Sequence, residues 1–418
     1  MQCSALAGMP DFFRKSITQN RKSLWIGSVI KFVQVTHRLQ GFRLIFRRFE
    51  AVDFLRLNAF SLVLFCFGGS VYTPLCRKCP AEFGCISQTG GCAMQNDETQ
   101  SFLADETGQP SNAWLNEQAL LLFDFFGPAA LNPKGGFWAL GRTGDPLRPS
   151  FAAQEVQPLH NATRFVHCFS LAHRFGFAGA ERMIDQGLEF ILKQHRDAQH
   201  GGYYWAVSND GVIDPAKQAY GHAFVLLAAA AAKAVMHPLA DRLLDDIVEV
   251  IEQRFWEPER GASREEFSAD WQALSTYRGQ NSNMHLTEAL IAAFAVTKDT
   301  MFLQKAEEIA YLIIDRHARS AQWRVPEHFD GNWEVDLEYS GDPMFRPAGT
   351  TPGHALEWSR LLIELYQAGE KRHSWLVEAA EQLFLNACQT GWCRDKGGFY
   401  YTLDWQNMPL QRKCLWWP

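Results

Sequence analysis

The sequence predicts an all-α fold, a toroid of helical hairpins, on three observations. Turns rich in glycine and aromatics recur at Gly135 (GGFWALGRTGDPL), Gly201 (GGYYWAVSNDGVI), Gly261 (GASREEFSADW), Arg324 (RVPEHFDGNWEV) and Gly397 (GGFYYTLDWQNMPL), 60 to 73 residues apart. The intervals hold long stretches whose apolar residues repeat at i, i+3, i+4 and i+7, two to a unit. Beyond the short β-like turns, little reads as strand. A hairpin of this kind cannot bury its apolar face alone. Neighbours must stack, and a closed ring of hairpins gathers its short turns around a central pit.

The helical stretches run in order along the chain. They are QALLLFDFFGPAAL, HNATRFVHCFSLAHRFG, AERMIDQGLEFILKQH, QAYGHAFVLLAAAAAKAV, LADRLLDDIVEVIEQRFW, NMHLTEALIAAFAVT, MFLQKAEEIAYLIIDRHA, GHALEWSRLLIELYQAG and SWLVEAAEQLFLNACQT. Asn161, Asn283 and Thr351 stand where N-caps are expected. A ring of six hairpins needs one more unit after Gly397, so by this count the ring is open and truncated before its last hairpin.

The first 93 residues read differently, and two parts are expected: an extension over 1–93 and the helical domain over 94–418. The extension is basic up to Arg48 and then carries an apolar run from Phe60 to Phe67, too short to span a bilayer and too far along for a secretion signal. It is expected to be foreign to the enzyme, with Met94 the working start; organelle targeting or a membrane-surface role is the rival. Six of the 10 cysteines fall here. The CxxC at Cys76 and Cys79 makes zinc conceivable, but the later spacings match no common finger. The other four (Cys168, Cys388, Cys393, Cys414) look like the scattered thiols of a cytoplasmic enzyme.

At 47% hydrophobic residues the chain can fill a large core, and a net charge of −6 gives no hint of a nucleic-acid partner. No membrane partner is expected for 94–418, and homo-oligomerisation stays open. There is no phosphate-cradling GxxxxGK[ST], no dinucleotide fingerprint after a strand and no GxSxG elbow, so redox and acyl-transfer chemistry lose support. Carboxylate-driven glycoside cleavage remains open, because Asp and Glu crowd the turns.

Two segments repeat one pattern. NSNMHLTEAL carries His285 and Glu288; TPGHALEWSR carries His354 and Glu357. Each sets a His and a Glu three apart on one face at the start of a helix. A carboxylate beside an imidazole fixes its tautomer and basicity, which suits proton transfer. A surface pair would look the same, but two occurrences after Asn-, Thr-, Pro- and Gly-rich turns point to a site. Helix-bundle metal sites run Glu-x-x-His, the reverse order, so no metal is expected. Arg164 lies on an apolar face between His160 and His167 and needs a polar partner, which sugar hydroxyls can be. Tyr220 and His222 start another helix. Arg324, Glu327, His328, Phe345 and Arg346 are turn residues expected to face the same pit.

Together these residues resemble the N-acylglucosamine 2-epimerase superfamily, nearest its bacterial aldose–ketose isomerase branch of mannose and sulfoquinovose isomerases. The resemblance runs from about residue 112 to the end, through LHNATRFVH around Arg164, GGYYWAVSNDGVIDPAKQAYGHAF, FWEPE, YRGQNSNMHLTEA, RVPEHFD, FRPAGTTPGHALEW and YTLDW. It implies an (α/α)6 barrel and cofactor-free proton shuttling on an open-chain monosaccharide. His354 matches the base that takes the C2 proton to give a cis-enediolate and returns it at C1. Glu357 matches the residue that orients or assists it. Arg164, Tyr220, Asn281 and His285 match sugar-contacting positions, with His285 also suited to ring opening; Glu288, Phe345, Arg346 and His160 complete the expected sugar-binding set. The family's second catalytic His, in its last helices, has no counterpart, and His160 replaces a usual aromatic. DPM (342–344) stands where sulfoquinovose enzymes add an Arg, which favours a mannose-like neutral sugar. The alternatives are a 2-epimerase of N-acylglucosamine or another sugar, a sulfoquinovose isomerase, and a truncated inactive relative.

Overall fold

The computed structural model describes residues 112–141, 143–147, 155–339, 341–342 and 346–415. The extension over 1–93, with its apolar run and cysteines, lies outside the described residues, as does Phe345. The chain divides into two compact units. One takes in 1–61 and 75–119, of which 112–119 are described; the other takes in 62–74 and 120–418 and holds the features below.

Helix α1 spans Asn112–Ala130. Four hairpins follow among the described residues. They are α2 (Leu159–Arg174) with α3 (Ala180–Phe190), α4 (Ala219–Ala234) with α5 (Ala240–Val250), α6 (Gln280–Thr297) with α7 (Thr300–Ala310), and α8 (Pro352–Ala368) with α9 (Trp375–Gly391). The first helices of the hairpins pack in series, α2 on α4, α4 on α6 and α6 on α8, each backed by its own partner. They form the inner layer of a toroid, and the sequence shows why. α4 is apolar on every side and buried nearly throughout, as a helix enclosed by neighbours must be. α5 buries Leu243, Leu244, Ile247 and Val250 and turns Asp241, Arg242, Asp245 and Glu249 to solvent.

Three outer helices end by widening into i→i+5 turns, at Ile191–His195, Ile251–Phe255 and Tyr311–Ala318. In the first two, the next amide reaches back to the carbonyl of Ile191 or Ile251. The chain then enters a β-bridge at once, through Arg196↔Tyr203 or through β5 (Trp256–Glu257).

The remaining strands are short: β1 (Gln157–Pro158), β2 (Ala206–Ser208), β3 (Gly211–Asp214), β4 (Lys217–Gln218), β6 (Ala262–Ser263), β7 (Glu266–Phe267), β8 (Arg278–Gly279), β9 (His328–Phe329), β10 (Phe399–Leu403) and β11 (Pro409–Leu415). Their pairing repeats. The residues just before each inner helix pair antiparallel with the turn that follows the same hairpin: Gln157↔Val207, Lys217↔Phe267, Arg278↔Phe329 and Thr350↔Leu403. Each ladder continues into the helix. The first amides of α2, α4 and α6 donate to the carbonyls of Trp205, Glu265 and Glu327 at 2.8, 2.8 and 3.1 Å. All four inner N-termini are thereby held at the rim that carries the turns.

These ladders displace two of the expected caps. α2 begins at Leu159 and α6 at Gln280, so Asn161 and Asn283 lie inside their first turns. Asn283 ties β6 to α6 instead: its side-chain oxygen accepts the Ser263 amide at 2.8 Å and its nitrogen donates to the Gly279 carbonyl at 2.9 Å. Thr351 does occupy the cap position of α8, without a side-chain capping bond.

Hairpin closure is tight at Gly187 on α3. A Cβ there would stand 2.5 Å from Val166 Cγ2 on α2 and 3.2 Å from the Phe137 ring. Gly187→Ala is therefore expected to destabilise the fold by about 1–3 kcal/mol through overpacking, despite a helix-propensity gain of up to about 1 kcal/mol. Urea denaturation measures the difference.

Candidate active site

The inner N-termini bring one group of polar side chains together. His354 is the third residue of α8, and its Nδ1 lies 2.9 Å from both carboxylate oxygens of Glu327. Glu327 is 3% exposed and also accepts the Thr351 amide at 3.1 Å and the Gln280 side-chain amide at 2.8 Å. Gln280 is oriented by Trp358, whose indole N–H donates to its oxygen at 2.7 Å. Burial works against a charged His354, but the adjacent Glu327 carboxylate outweighs it and holds the imidazole above its ordinary value. Glu327, despite its burial, is kept below the usual carboxylate range by His354.

Glu357 makes no hydrogen bond to His354, although it sits one turn along the same helix. Its Oε2 is buried without a hydrogen-bond partner. Burial pushes its carboxyl up, while His285 and His354 together pull the other way and Glu288 adds to the rise. It therefore stands within the field of both histidines, its carboxyl raised by burial.

The second pair forms as the spacing implied. His285 Nδ1 is 3.3 Å from Glu288. Arg360 donates to the other Glu288 oxygen at 2.7 Å and to Glu364 at 2.7 Å. Although burial opposes it, Arg360 keeps Glu288 far below the usual range and ionised. The His285 ring packs edge-on to Tyr220, with centroids 5.3 Å apart. Tyr220 in turn accepts from Arg164 at 2.7 Å, and the Arg164 guanidinium lies 4.4 Å from the Phe224 ring centre. His160 packs on Trp205 at 5.0 Å; burial, reinforced by Arg164, lowers its pKa to about 3 and keeps it neutral.

A cavity of about 300 Å³ opens beside this group. Trp205, Tyr220, Asn281, Ser282, Tyr277 and Arg346 line it, with Glu265, Glu266 and Asp342 adding carboxylates. His354 and His285 do not line this space themselves. They connect to it through Tyr220 and through Gln280, the neighbour of Asn281. The Asn281 side-chain oxygen is buried with no hydrogen-bond partner among the described residues. Glu265, a buried carboxyl at the cavity wall, is pushed up to about 6 by that burial. Tyr401 on β10 feels Glu327, Asp342 and Tyr220 and is raised to about 12, first by burial.

Other residues singled out in the sequence make structural contacts. Both ring nitrogens of His222 are taken, by the Gln218 carbonyl and the Tyr203 amide. His328 donates to the Pro347 carbonyl and accepts from Tyr277, each at 2.8 Å. Arg324 is spent on the carbonyls of Ala321 and Trp405. Among the described residues no group of three His, Cys, Asp or Glu is placed to hold a metal ion. No helix among them is long and apolar enough to cross a membrane.

A sequence model described as N-acylglucosamine 2-epimerase (GlcNAc 2-epimerase) matches residues 135–418. The chain belongs to that family. This member is 42% identical over 312 residues to a D-mannose isomerase of Thermobifida fusca, covering 73% of this chain and 75% of that protein. It is 45% identical over 266 residues to a D-mannose isomerase of Pseudomonas cannabina pv. alisalensis, covering 62% and 64%. A crystal structure of D-mannose isomerase superposes with a TM-score of 0.65 at 31% identity, over 69% of this chain and 74% of that one. The architecture is accordingly that of the (α/α)6 barrel.

Glu265, Gln280, Trp205, Tyr277 and Tyr401 were not singled out from the sequence, and Glu327 only as a turn residue. The repeat held a signal for three of them. Trp205, Glu265 and Glu327 share one register, each lending its carbonyl to an inner helix. Aligning the turns on Val207, Phe267 and Phe329 reveals it.

Arg360→Ala leaves Glu288 buried beside His285 without its cation. A loss of about 3–5 kcal/mol is expected by urea denaturation, and the double variant Arg360→Ala with Glu288→Gln should recover part of it.

Proposed function

We propose that the chain is an aldose–ketose isomerase that interconverts mannose and fructose by proton transfer at His354. One observation carries the reading: an imidazole whose Nδ1 is occupied by a buried carboxylate, with a second carboxyl, Glu357, one turn along the same helix and raised by its burial. The two D-mannose isomerases at 42% and 45% identity support it.

The reaction moves one hydrogen from C2 to C1 and one proton from O2 to O1. Neutral His354 takes the C2 proton through Nε2, leaving a cis-enediolate, and returns it at C1. Glu357 as the acid gives its proton to O1 and regains one from O2. Arg164 and Asn281 hold the developing oxyanion and the chain hydroxyls. His285, backed by ionised Glu288, serves ring opening. Tyr220 keeps Arg164 and His285 in place by a hydrogen bond and a ring contact. This chemistry calls on no cofactor. A working domain from 94 onward and a cytoplasmic location belong to the same proposal.

The cavity favours a neutral sugar. Glu265, Glu266 and Asp342 face it, and Arg346 is already paired to Glu266 at 2.8 Å and lies 3.7 Å from Glu265. A phosphate or sulfonate brought there meets carboxylates, and like charges in a poorly solvated site repel strongly. Free mannose is expected to be turned over at least tenfold faster, in kcat/KM, than mannose 6-phosphate, an energy difference of about 1.4 kcal/mol. Equal rates on the two sugars would remove the argument.

In deuterated water, label is expected at C1 of fructose; a C2-labelled epimeric aldose would mark 2-epimerisation instead. His354→Ala is expected to abolish exchange of the C2 hydrogen while the circular dichroism spectrum stays unchanged. Exchange that persists in this variant removes His354 as the base.

A further inference from the structure

We propose that Glu327, not the helix neighbour Glu357, is the positioning residue of His354, holding a proton on Nδ1 so that Nε2 is bare and available to substrate. This rests on His354 being the base and deepens that reading.

The hydrogen-bond geometry requires this tautomer. Both Glu327 oxygens lie 2.9 Å from Nδ1. A deprotonated Nδ1 would turn its lone pair on a carboxylate at that distance, an arrangement of two acceptors with no hydrogen between them. The Gln280 side-chain nitrogen also lies 2.8 Å from Nδ1, and by itself could donate to a bare nitrogen there. Its orientation is settled by Trp358. The indole N–H can only donate, so the Gln280 oxygen faces it and the amide NH2 faces Glu327, to which it donates at 2.8 Å. Glu327 thus has donors on every side: the Thr351 amide, Gln280 and Nδ1–H. Ionisation suits it, and its lowered pKa agrees. Nε2 of His354 has no protein partner among the described residues, and the side chain keeps 16% of its surface exposed.

The fold accounts for this clasp. Glu327 occupies the register in which Trp205 and Glu265 lend their carbonyls to α2 and α4, and its own carbonyl accepts the Gln280 amide at the start of α6. The next inner helix, α8, begins with Pro352, which has no amide hydrogen to donate. The amide just before it, from Thr351, turns to the Glu327 side chain instead. One residue thereby locks the start of α6 through its backbone and the start of α8 through its side chain, with His354 two residues beyond Pro352.

The test uses the full chain labelled with 15N-histidine. His354 is assigned by the resonance that disappears in His354→Ala, and its tautomer is read from the two ring-nitrogen shifts. Protonated Nδ1 and bare Nε2 above the imidazole pKa are expected in the wild type; a proton on Nε2 overturns the proposal without any assay of sugar turnover. In Glu327→Gln, kcat on mannose should fall on the order of 10²–10⁴-fold with KM little changed. The acid limb of the kcat/KM–pH profile should move to lower pH, because the charge that raised the imidazole is gone. Glu327→Asp keeps that charge, so its limb should stay near the wild-type position. A loss of rate in Glu327→Gln with an unmoved limb overturns the proposal, since general disruption of the fold would do the same. A wild-type chain that leaves mannose unchanged refutes the isomerase reading separately, while the tautomer still decides the role of Glu327.

Discussion

The structure depends on a repeated backbone constraint: each inner helix starts from a short antiparallel bridge to the turn of its own hairpin. Amides in the first turn of a helix have no partner within it. In α2, α4 and α6 the first of them is satisfied by the carbonyl of Trp205, Glu265 or Glu327. The bridge also fixes where side chains near the start of α2, α4, α6 and α8 point. His160, Tyr220, Asn281 and His354 all follow within four residues of such a bridge. Residues widely spaced in the chain meet because the same ladder recurs, and no one contact among them has to be strong.

The site then divides its charges by environment. Glu327 and Glu288 are held ionised by His354 and Arg360, while burial drives Glu357 and Glu265 toward the neutral acid. His160 and His167, enclosed by the inner layer, are depressed to about 3 and about 4 by desolvation and stay neutral. His354 alone among these buried imidazoles is raised, because Glu327 lies against it. Environments that push paired groups apart in this way separate the roles of proton acceptor and proton donor within one small space. The sign has a consequence for folding. A histidine raised in the folded state adds stability that is present below its unfolded value and fades as pH climbs through the folded one. The Glu327 clasp therefore supports the fold on the acidic side, whereas catalysis needs the imidazole neutral on the alkaline side.

Much of this was legible in the chain. The hairpins follow from apolar spacing, since a helix face periodic at 3.6 residues has to be covered. The His285 and Glu288 pair follows from its i,i+3 spacing, which a helix alone brings together. The same spacing puts Glu357 on the face of His354, but the hydrogen bonds to that imidazole come from a carboxylate 27 residues earlier in the chain. Asn161 and Asn283 misled for a related reason. They are good caps by residue type, but a bridge from another turn had already satisfied the helix start, leaving Asn283 to join two segments.

What the sequence determined by itself is the class of fold, the rim on which the polar residues gather and most of the residues that gather there, because periodicity and local spacing are properties of one segment at a time. Which carboxylate grips which imidazole was decided only by tertiary structure. That choice depends on the distance between turns of successive hairpins, on a proline that withholds an amide at the start of α8, and on a tryptophan that turns a glutamine around. None of these acts within a single helix, and the protonation states of the site follow from all three.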